Sequence, residues 1–481
     1  MRRNNPPRHQ NQDGMTSHER KSVYSLASIY ALRMMGLFMI LPVFALYAGK
    51  LSGTTPMLVG IAIGIYGLTQ ASLQIPFGMM SDHFGRKKII TIGLLIFACG
   101  SVVAATAHSI YGVILGRALQ GSGAIAAAIM ALTADLTREE HRLSAMAVIG
   151  ISIGLSFMVS LVLGPILNHW IGVDGIFWLT SLLALVSIAI LNFVVPNPAH
   201  SSFHRDTMPA PQQLQQVLHD PQLLRLDAGV MILHMILTGT FVVLPLALRD
   251  VAKLTPSEHW LVYAPVMFLS MLTMIPFVIL AESKRRMKEV FGAAILTLAI
   301  AEIVLVFLYH SISGIVFSLF LFFIAFNVLE ATLPSLVSKM VAPDRKGTAM
   351  GVYSTSQFFG AFLGGLLGGW VHGAYGMGAV FGLLSVMGIV WFLLASTMQS
   401  PRYLSSYMVR VGKVDASEAK RLAAKLTGIT GVAEAIVVVE DEIAYLKVDL
   451  KALDREALQQ YSVASENEED DNLVKTEQDF A

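Results

Sequence analysis

Residues 78–88 read GMMSDHFGRKK and follow an apolar stretch, residues 57–81, that is long enough to cross a bilayer. Gly78 allows a second helix to approach closely, and Gly85 permits a tight turn. Asp82 suits the positive end of a neighbouring helix. The basic triplet that ends the stretch favours the cytoplasmic side of a membrane. The stretch therefore predicts a tight cytoplasmic hairpin between two membrane-spanning helices.

The same pattern recurs in the second half of the chain. Residues 75–77 (IPF) precede Asp82 and a basic run, and residues 275–277 (IPF) precede Glu282 and another basic run. Farther along, SAMAV at the start of the fifth predicted span is echoed by TAMGV at the start of the eleventh. Duplicated halves are typical of transporters that rock about a central site.

Composition supports a membrane protein. Hydrophobic residues make up 54% of the 481 residues and charged residues only 14%, against roughly 25% charged in soluble domains. Apolar windows broken at charges, Pro and Gly give twelve predicted spans. The spans are 22–48, 57–81, 88–107, 109–135, 143–168, 173–195, 222–249, 258–282, 288–308, 313–341, 346–371 and 375–397.

The predicted fold is an all-α membrane protein of twelve transmembrane helices in two six-helix halves, followed by a small α+β domain. The first apolar run is too long for a signal peptide. The predicted regions are a disordered cytoplasmic N-terminus (1–21), an N-terminal half (22–195), a cytoplasmic connector (196–221), a C-terminal half (222–397), a ferredoxin-like cytoplasmic domain (402–462) and an acidic disordered tail (463–481).

The small domain is predicted from its alternation of apolar and polar residues. Strands are expected near residues 407–411, 432–439 and 443–448, and helices near 416–426 and 454–461. This β-α-β-β-α order suggests a ferredoxin-like module. It is similar to the heavy-metal-associated fold, but the Cys-x-x-Cys pair of that family is absent, so no metal site is expected.

Loop charges predict the orientation. With both termini in the cytoplasm, the cytoplasmic loops hold eleven basic residues and the opposite loops three. The cytoplasmic set is Arg86, Lys87, Lys88, Arg138, Arg142, Lys284, Arg285, Arg286, Lys288, Arg345 and Lys346, and the opposite set is Lys50, Arg249 and Lys253. The net charge of +1 gives no argument for nucleic acid, and the single Cys99 excludes an internal disulfide. The chain shows neither a nucleophile–base constellation nor a nucleotide-binding loop, so an enzyme or ATP-driven pump is not expected, and no cofactor is predicted.

Residues 78–88 resemble the signature loop of the major facilitator superfamily, except that His83 stands where an Arg is usual. Residues 115–124 (LGRALQGSGA) resemble the span-4 motif of that superfamily, whose arginine has been implicated in proton coupling. Residues 150–165 resemble the glycine–proline motif of its 12-span drug:proton antiporters, although Leu167 and Asn168 replace the closing Gly pair. Residues 60–70 and 347–357 resemble the bacterial YajR-type group, which also has a small C-terminal domain. The resemblance implies a bacterial inner-membrane protein, usually a monomer.

Candidate residues fall into four sets. A conformational switch is predicted from Gly78, Asp82, Gly85, Arg86 and Asp135, with Arg86 pairing Asp135 and Asp82 near the start of span 11. Charges and an imidazole inside spans are functional candidates, and proton coupling is assigned to Arg33, Arg117, His234 and Glu330; Asp227 and Glu302 are the remaining charges in spans. The predicted substrate cavity comprises Tyr66, Gln70, Gln74, Asn327, Tyr353 and Gln357, and the predicted helix-packing residues are Gly121, Gly154, Gly164 and Pro165.

The related antiporters carry an acid in span 1, where this chain has Arg33. For each buried charge, a satisfied interhelical pair remains the alternative. The predicted function is proton-coupled export of small amphipathic, drug-like molecules by alternating access, with protons, the substrate and the lipid bilayer as partners. The alternatives are a narrow-specificity metabolite symporter or uniporter, and a transporter-like sensor.

Overall fold

The computed structural model describes residues 14–138, 141–197, 211–341, 345–399, 405–412, 414–439, 443–449 and 452–461. The disorder predicted for residues 1–13 and 463–481, and residues 198–210 of the predicted connector, lie outside these ranges. The chain divides into two compact units, Met1–Ser400 and Pro401–Ala481, and each is described by itself.

The first unit is helical. Its helices are α1 (Ser17–Phe38), α2 (Phe44–Tyr47), α3 (Pro56–Phe84), α4 (Arg86–Ala105), α5 (Ile110–Ser122), α6 (Ala126–Asp135), α7 (Arg142–Phe193), α8 (Pro211–Leu218), α9 (Pro221–Asp250), α10 (Trp260–Ser283), α11 (Met287–Leu308), α12 (Ile312–Met340), α13 (Lys346–Tyr375) and α14 (Met377–Ser396). Within the described residues, nine helices are long enough and apolar enough to cross a membrane. This confirms a membrane protein built from many apolar helices.

The N-terminal boundary differs from the prediction. Residues 17–21, expected to be disordered, form the first turn of α1. The reason is a capping box: the Thr16 hydroxyl accepts a hydrogen bond from the Glu19 amide, and the Glu19 carboxylate accepts one from the Thr16 amide. These bonds satisfy two amide groups that the helix start leaves without partners.

Two predicted spans differ in continuity from the prediction. The span 109–135 is broken into α5 and α6, because the backbone leaves the helical region at Gly123 (φ −77°, ψ 54°). In contrast, the loop expected between residues 168 and 173 shrinks to a kink inside α7, where Gly172 (φ 70°, ψ 175°) has the non-helical conformation. Glycine tolerates this positive φ, which strains other residues.

Close packing joins α3 to α13 along one half of their length. A Cβ atom at Gly60 would overlap the Gly365 carbonyl oxygen, and one at Gly64 would lie 2.9 Å from the carbonyl oxygen of Phe362. We call this end of the helices the Pro56 end, and the other end the Asp82 end. Toward the Asp82 end, a Cβ atom at Gly150, Gly154 or Gly351 would meet nothing within 4 Å. The helices are therefore packed at the Pro56 end and have open faces toward the Asp82 end.

The second unit holds an antiparallel sheet with strand order β1-β3-β2 and two helices. Its elements are β1 (Ser405–Arg410), α15 (Ala416–Thr427), β2 (Val432–Val438), β3 (Ile443–Val448) and α16 (Arg455–Gln459). Leu426 of α15, Leu446 of β3 and Leu458 of α16 are buried in one apolar core. The predicted β-α-β-β-α order of elements is present in this unit.

Candidate functional site

The predicted switch residues meet at the Asp82 end; we call Asp82, Arg86 and Asp135 the switch cluster. Gly85 turns the chain with φ 97° between α3 and α4. This turn places Arg86 against both Asp82 and Asp135; Arg86 Nε lies 3.2 Å from Asp135 Oδ2. The Arg86 guanidinium also donates to the Ser81 hydroxyl at 2.9 Å. All three charged side chains are buried, so the cluster fastens α3, α4 and α6 together.

The repeated motif builds a related contact in the second half. Glu282 at the end of α10 pairs with Lys339 of α12 and accepts a hydrogen bond of 2.7 Å from Ser335. In both halves, an acid at the end of one helix is therefore held by residues from another helix. The second contact is more exposed than the first, since the Lys339 and Glu282 side chains are 28% and 42% exposed and those of Arg86 and Asp82 are 5% and 8% exposed.

Arg33 lies buried inside the N-terminal helices. Its Nη2 atom donates to the Gln70 side-chain oxygen at 2.6 Å and to the Gly123 carbonyl at 2.9 Å. Gln70 in turn donates to Gln74 at 3.3 Å. The break between α5 and α6 leaves the Gly123 carbonyl available to Arg33. Within the described backbone, this oxygen accepts a hydrogen bond from the Ile125 amide and none from a following helical turn. Of the predicted cavity residues, Gln70 thus binds the buried Arg33 directly, and Gln74 binds Gln70.

Arg117 is also buried beside Tyr66. Its guanidinium donates to Gln120 at 2.9 Å and to the carbonyls of Ala62 and Ile63 at 3.4 Å. The guanidinium carbons of Arg33 and Arg117 lie 5.8 and 5.2 Å from the Tyr66 ring centroid. We call Arg33, Arg117, Tyr66 and Gln70 the arginine cluster.

In the C-terminal helices, His234 connects three helices. Its Nε2 atom lies 3.3 Å from Glu330 Oε1 of α12 and 2.8 Å from Gln357 Nε2 of α13. Its Nδ1 atom lies 3.1 Å from the Val230 carbonyl oxygen, one turn earlier in α9. We call His234, Glu330 and Gln357 the imidazole–carboxyl cluster. It can hold a proton, since one of its members is a base and one an acid.

Two other predicted cavity residues, Tyr353 and Asn327, lie in different surroundings. Tyr353 of α13 is buried, and its hydroxyl has no hydrogen-bond partner among the described residues. Asn327, predicted to line the substrate cavity, donates to Ser270 of α10 at 3.3 Å. The structure therefore brings Gln357 to His234, which itself lies against Glu330, and directs Asn327 toward a different helix.

An aromatic bridge crosses from α7 to α12 beside His234. The Phe157 and Phe326 ring centroids lie 5.6 Å apart, and Phe326 lies 6.0 Å from the imidazole of His234. Phe38 of α1 completes the bridge at 5.0 Å from Phe157. Sequence reasoning missed these residues because single aromatic residues in apolar spans carry no distinguishing signal.

The predicted packing residues divide into two groups. A Cβ atom at Gly121 would overlap the Tyr66 carbonyl of α3, and one at Gly164 would lie 2.7 Å from the Met39 carbonyl. Pro165 lies inside α7, next to Gly164. Gly154 differs from the expectation, since a Cβ atom there would meet nothing within 4 Å. Gly78 does make its expected close approach, because a Cβ atom there would lie 3.2 Å from the Ala127 Cβ atom.

Two further polar contacts involve residues outside the predicted functional sets. Gln120 links Arg117 to Ser101 of α4 through a 2.8 Å hydrogen bond, and its position three residues after Arg117 is a signal that could have found it. Glu302 of α11 is fully buried and accepts a 2.7 Å hydrogen bond from Thr240 of α9. Among the described residues, no group of three His, Cys, Asp or Glu side chains could hold a metal ion.

Known proteins are similar to this chain in both sequence and fold. The Major Facilitator Superfamily model matches residues 26–289 and 229–407. The chain is 46% identical over 447 residues to the inner membrane transport protein YajR of Escherichia coli, covering 93% of this chain and 98% of that protein. It is 24% identical to the multidrug resistance protein MdtH of Yersinia enterocolitica, covering 75% of this chain and 91% of the relative.

A solved structure extends the similarity to three dimensions. The bacterial homologue of the human lysosomal transporter Spinster superposes with a TM-score of 0.66 at 15% identity, covering 80% of this chain and 98% of that one. The YajR relative is named as a transport protein, and the Spinster homologue is named after a transporter; neither is named as an enzyme. The matched residues include the switch, arginine and imidazole–carboxyl clusters, and the chain is a membrane-embedded secondary transporter that belongs to the Major Facilitator Superfamily.

Proposed function

We propose that this transporter exports small amphipathic, drug-like molecules in exchange for protons, with the imidazole–carboxyl cluster as its proton-binding site. The observation that carries the proposal is the 3.3 Å approach of Glu330 Oε1 to His234 Nε2, inside a helix bundle. The distant similarity to a protein named for multidrug resistance supports this class of substrate.

The hydrogen-bond pattern explains why a proton belongs there. A carbonyl only accepts hydrogen bonds, so the contact to Val230 places a proton on His234 Nδ1. In a neutral imidazole, Nε2 is then an acceptor, which suits the N–H donor of Gln357. Glu330 must therefore supply a proton of its own, or else His234 carries a second proton and faces a Glu330 carboxylate. One exchangeable proton lies between the two residues in either state.

Loss of that proton would change the packing. A Glu330 carboxylate facing the lone pair of neutral His234 is repulsive, so deprotonation separates α12 from α9. His234 also contacts Phe326, which belongs to the aromatic bridge to α7. Protonation at this cluster can thus bias the relative position of the two sets of helices, as a coupled transporter requires.

The arginines have a different role in this proposal. A guanidinium keeps its proton at physiological pH, so Arg33 and Arg117 set the local charge and do not carry the transported proton. The switch cluster fastens the helices at the Asp82 end and would be remade when that end closes. The packed Pro56 end and the open faces of Gly150 and Gly154 support a conformation open toward the Asp82 end.

The proposal includes the topology. We infer twelve membrane-spanning helices in two six-helix halves, in a bacterial inner membrane, with the Asp82 end and both termini in the cytoplasm. The basic residues around Arg86 and Arg285 support this orientation. The order β1-β3-β2 supports a ferredoxin-like second unit. A monomer is the expected assembly.

The test is substrate-dependent proton flux in proteoliposomes with an acid-loaded lumen and a lumenal pH dye. We expect amphipathic compounds added outside to alkalinise the lumen of wild-type vesicles. Glu330→Gln should abolish this flux while retaining exchange of labelled compound without a gradient. Glu302→Gln is the control, because Glu302 is a buried acid of the same half whose partner is the Thr240 hydroxyl rather than an imidazole, and it should keep both activities.

Other results would select an alternative. Acidification of the lumen during uptake would indicate a metabolite symporter, and transport without any proton movement would indicate a uniporter. Ligand binding without flux, with an output lost on deletion of residues 402–481, would indicate a sensor. Undiminished proton flux in Glu330→Gln would contradict the assignment of the proton-binding site.

A further inference from the structure

Arg33 has hydrogen-bonding capacity that the protein does not use. Its side chain is only 1% exposed, and among the described residues its Nε and Nη1 atoms have no hydrogen-bond partner. Only Nη2 is engaged, by the neutral oxygens of Gln70 and Gly123. A guanidinium that is buried with two free donor atoms is costly unless an acceptor completes it.

The charge of Arg33 is also unbalanced. No described carboxylate forms an ion pair with it. In α1, Glu19 is fourteen residues away, which corresponds to about 21 Å along the helix, and it is engaged by Arg138. In α3, Asp82 is twelve residues beyond Gln70, about 18 Å along the helix, and it is engaged by Arg86. Arg117 adds a second buried cation on the same Tyr66 ring, held only by neutral groups.

Tyr66 offers a further free donor beside these cations. Its hydroxyl is buried and has no hydrogen-bond partner among the described residues. Its ring lies 6.3 Å from Phe358 of α13, so Tyr66 stands at the boundary between the N-terminal and C-terminal helices. Phe358 directly follows Gln357 of the imidazole–carboxyl cluster. Tyr66 therefore connects the unbalanced cations to the surface where the two halves meet.

We infer that the arginine cluster binds the anionic group of an organic substrate, with Arg33 Nε, Arg33 Nη1 and the Tyr66 hydroxyl as donors. The substrate class that fits is an aromatic or amphipathic carboxylate. Its acidic group balances the buried charge, and the rings of Tyr66, Phe97 and Phe358 supply apolar surface; Phe97 lies 5.5 Å from the Arg33 guanidinium carbon. This inference rests on the proposed transport function and narrows its substrate class.

The experiment measures binding separately from proton movement. Thermal unfolding of the purified full-length protein in detergent is followed with 2-naphthoate, with its uncharged amide 2-naphthamide, and with sodium chloride at matched ionic strength. We expect the carboxylate to raise the unfolding temperature in a saturable way and the amide to leave it unchanged. Chloride should neither reproduce the shift nor compete with the carboxylate.

Three variants locate the site. Arg33→Gln should abolish the shift. Tyr66→Phe, which keeps the ring and loses only the hydroxyl, should weaken carboxylate binding by about tenfold or more, as expected for a hydrogen bond to a charged group. Lys50→Gln removes an exposed cation and should bind as the wild type does. If Arg33→Gln fails to fold, Tyr66→Phe still decides the result.

Each contrary result has its own meaning. Equal shifts with carboxylate and amide, or undiminished binding in Tyr66→Phe and Arg33→Gln, would overturn the anion site. Competition by chloride would show a structural inorganic anion and overturn the assignment to substrate. Glu330→Gln distinguishes this inference from the proposed function. If this variant loses proton flux but still binds the carboxylate, the anion site is independent of the proton-binding site.

Discussion

The backbone of Gly60 in α3 lies directly against Gly365 in α13, with no space for a side chain between them. The contact continues through Gly64 and Phe362, and a Cβ atom at Gly369 would lie 2.5 Å from the Pro56 carbonyl oxygen. Small residues allow helices to approach this closely, and van der Waals packing then holds them together. The seam closes the Pro56 end, so a larger residue there should force the two helices apart.

Gly60→Ala should therefore destabilise the protein by about 1–3 kcal/mol, the usual cost of overpacking, and should increase reagent access to a cysteine placed at the Pro56 end. Thermal unfolding and thiol labelling in detergent measure the two effects. Gly292→Ala is the control, because the nearest side-chain atom is 4.0 Å from its Cβ position. Equal behaviour of the two variants would show that the seam is not a tight contact.

The second prediction concerns the switch cluster. Asp135→Asn removes the charge that faces Arg86 at 3.2 Å while Asp82 remains in place. Loss of a charge-assisted hydrogen bond in a buried site should lower the stability by about 1.5–3 kcal/mol, and transport should fall with it.

Thermal unfolding and substrate flux in proteoliposomes check this prediction. Asp174→Asn provides the matched control, since Asp174 is an exposed acid whose partner is the Tyr47 hydroxyl. If the unfolding temperature of Asp135→Asn equals that of the control, the Arg86–Asp135 pair contributes little to the stability of the protein.

The third prediction is a pH dependence at the start of α1. Burial raises the pKa of the Glu19 carboxyl, but hydrogen bonds from Arg138 and Thr16 outweigh it and hold the pKa at about 2, below the ordinary value of 4.5. Because the folded pKa is the lower one, the charged form favours folding. This stabilisation is complete above pH 4.5 and disappears as the pH falls toward 2.

Glu19→Gln should accordingly lower the unfolding temperature at pH 7, and the difference from wild type should shrink as the pH drops below 4.5. Unfolding curves in detergent at several pH values give this comparison. The control is Glu289→Gln, at an exposed acid in the first turn of α11. Its unfolding temperature should not differ from that of the wild type in this pH-dependent way. A constant difference across the pH range would rule out the ionised Glu19–Arg138 contact as its source.

Several parts of the structure were predictable because their physics is local. Gly85 and the basic residues after it indicate a turn at a membrane surface, and the structure places a positive-φ turn there. The approach of Arg86 to Asp135 followed from the same motif. Glu330 and His234 were recognisable because charges are rare in apolar spans, but nothing in the sequence indicated that they contact each other.

Other features depended on long-range packing. Asn327 and Glu330 are three residues apart in α12, yet Asn327 donates a hydrogen bond to Ser270 of α10, whereas Glu330 lies against His234 of α9. Gly154 matches a packing motif, yet a Cβ atom there would meet nothing within 4 Å. The break at Gly123 was equally hidden, since its carbonyl is stabilised by Arg33 from ninety residues earlier in the chain.

The sequence by itself determined that the chain is a membrane protein with repeated halves and a small sheet-containing unit, because apolar length, alternation and loop charge act over a few residues at a time. Only the tertiary structure decided which polar groups meet: Arg33 with Gln70 and the Gly123 carbonyl, and His234 with Glu330 and Gln357. The reason is that partners on different helices are chosen by rotation, tilt and close backbone approach. These quantities are set by the whole bundle of packed helices, so no local pattern encodes them.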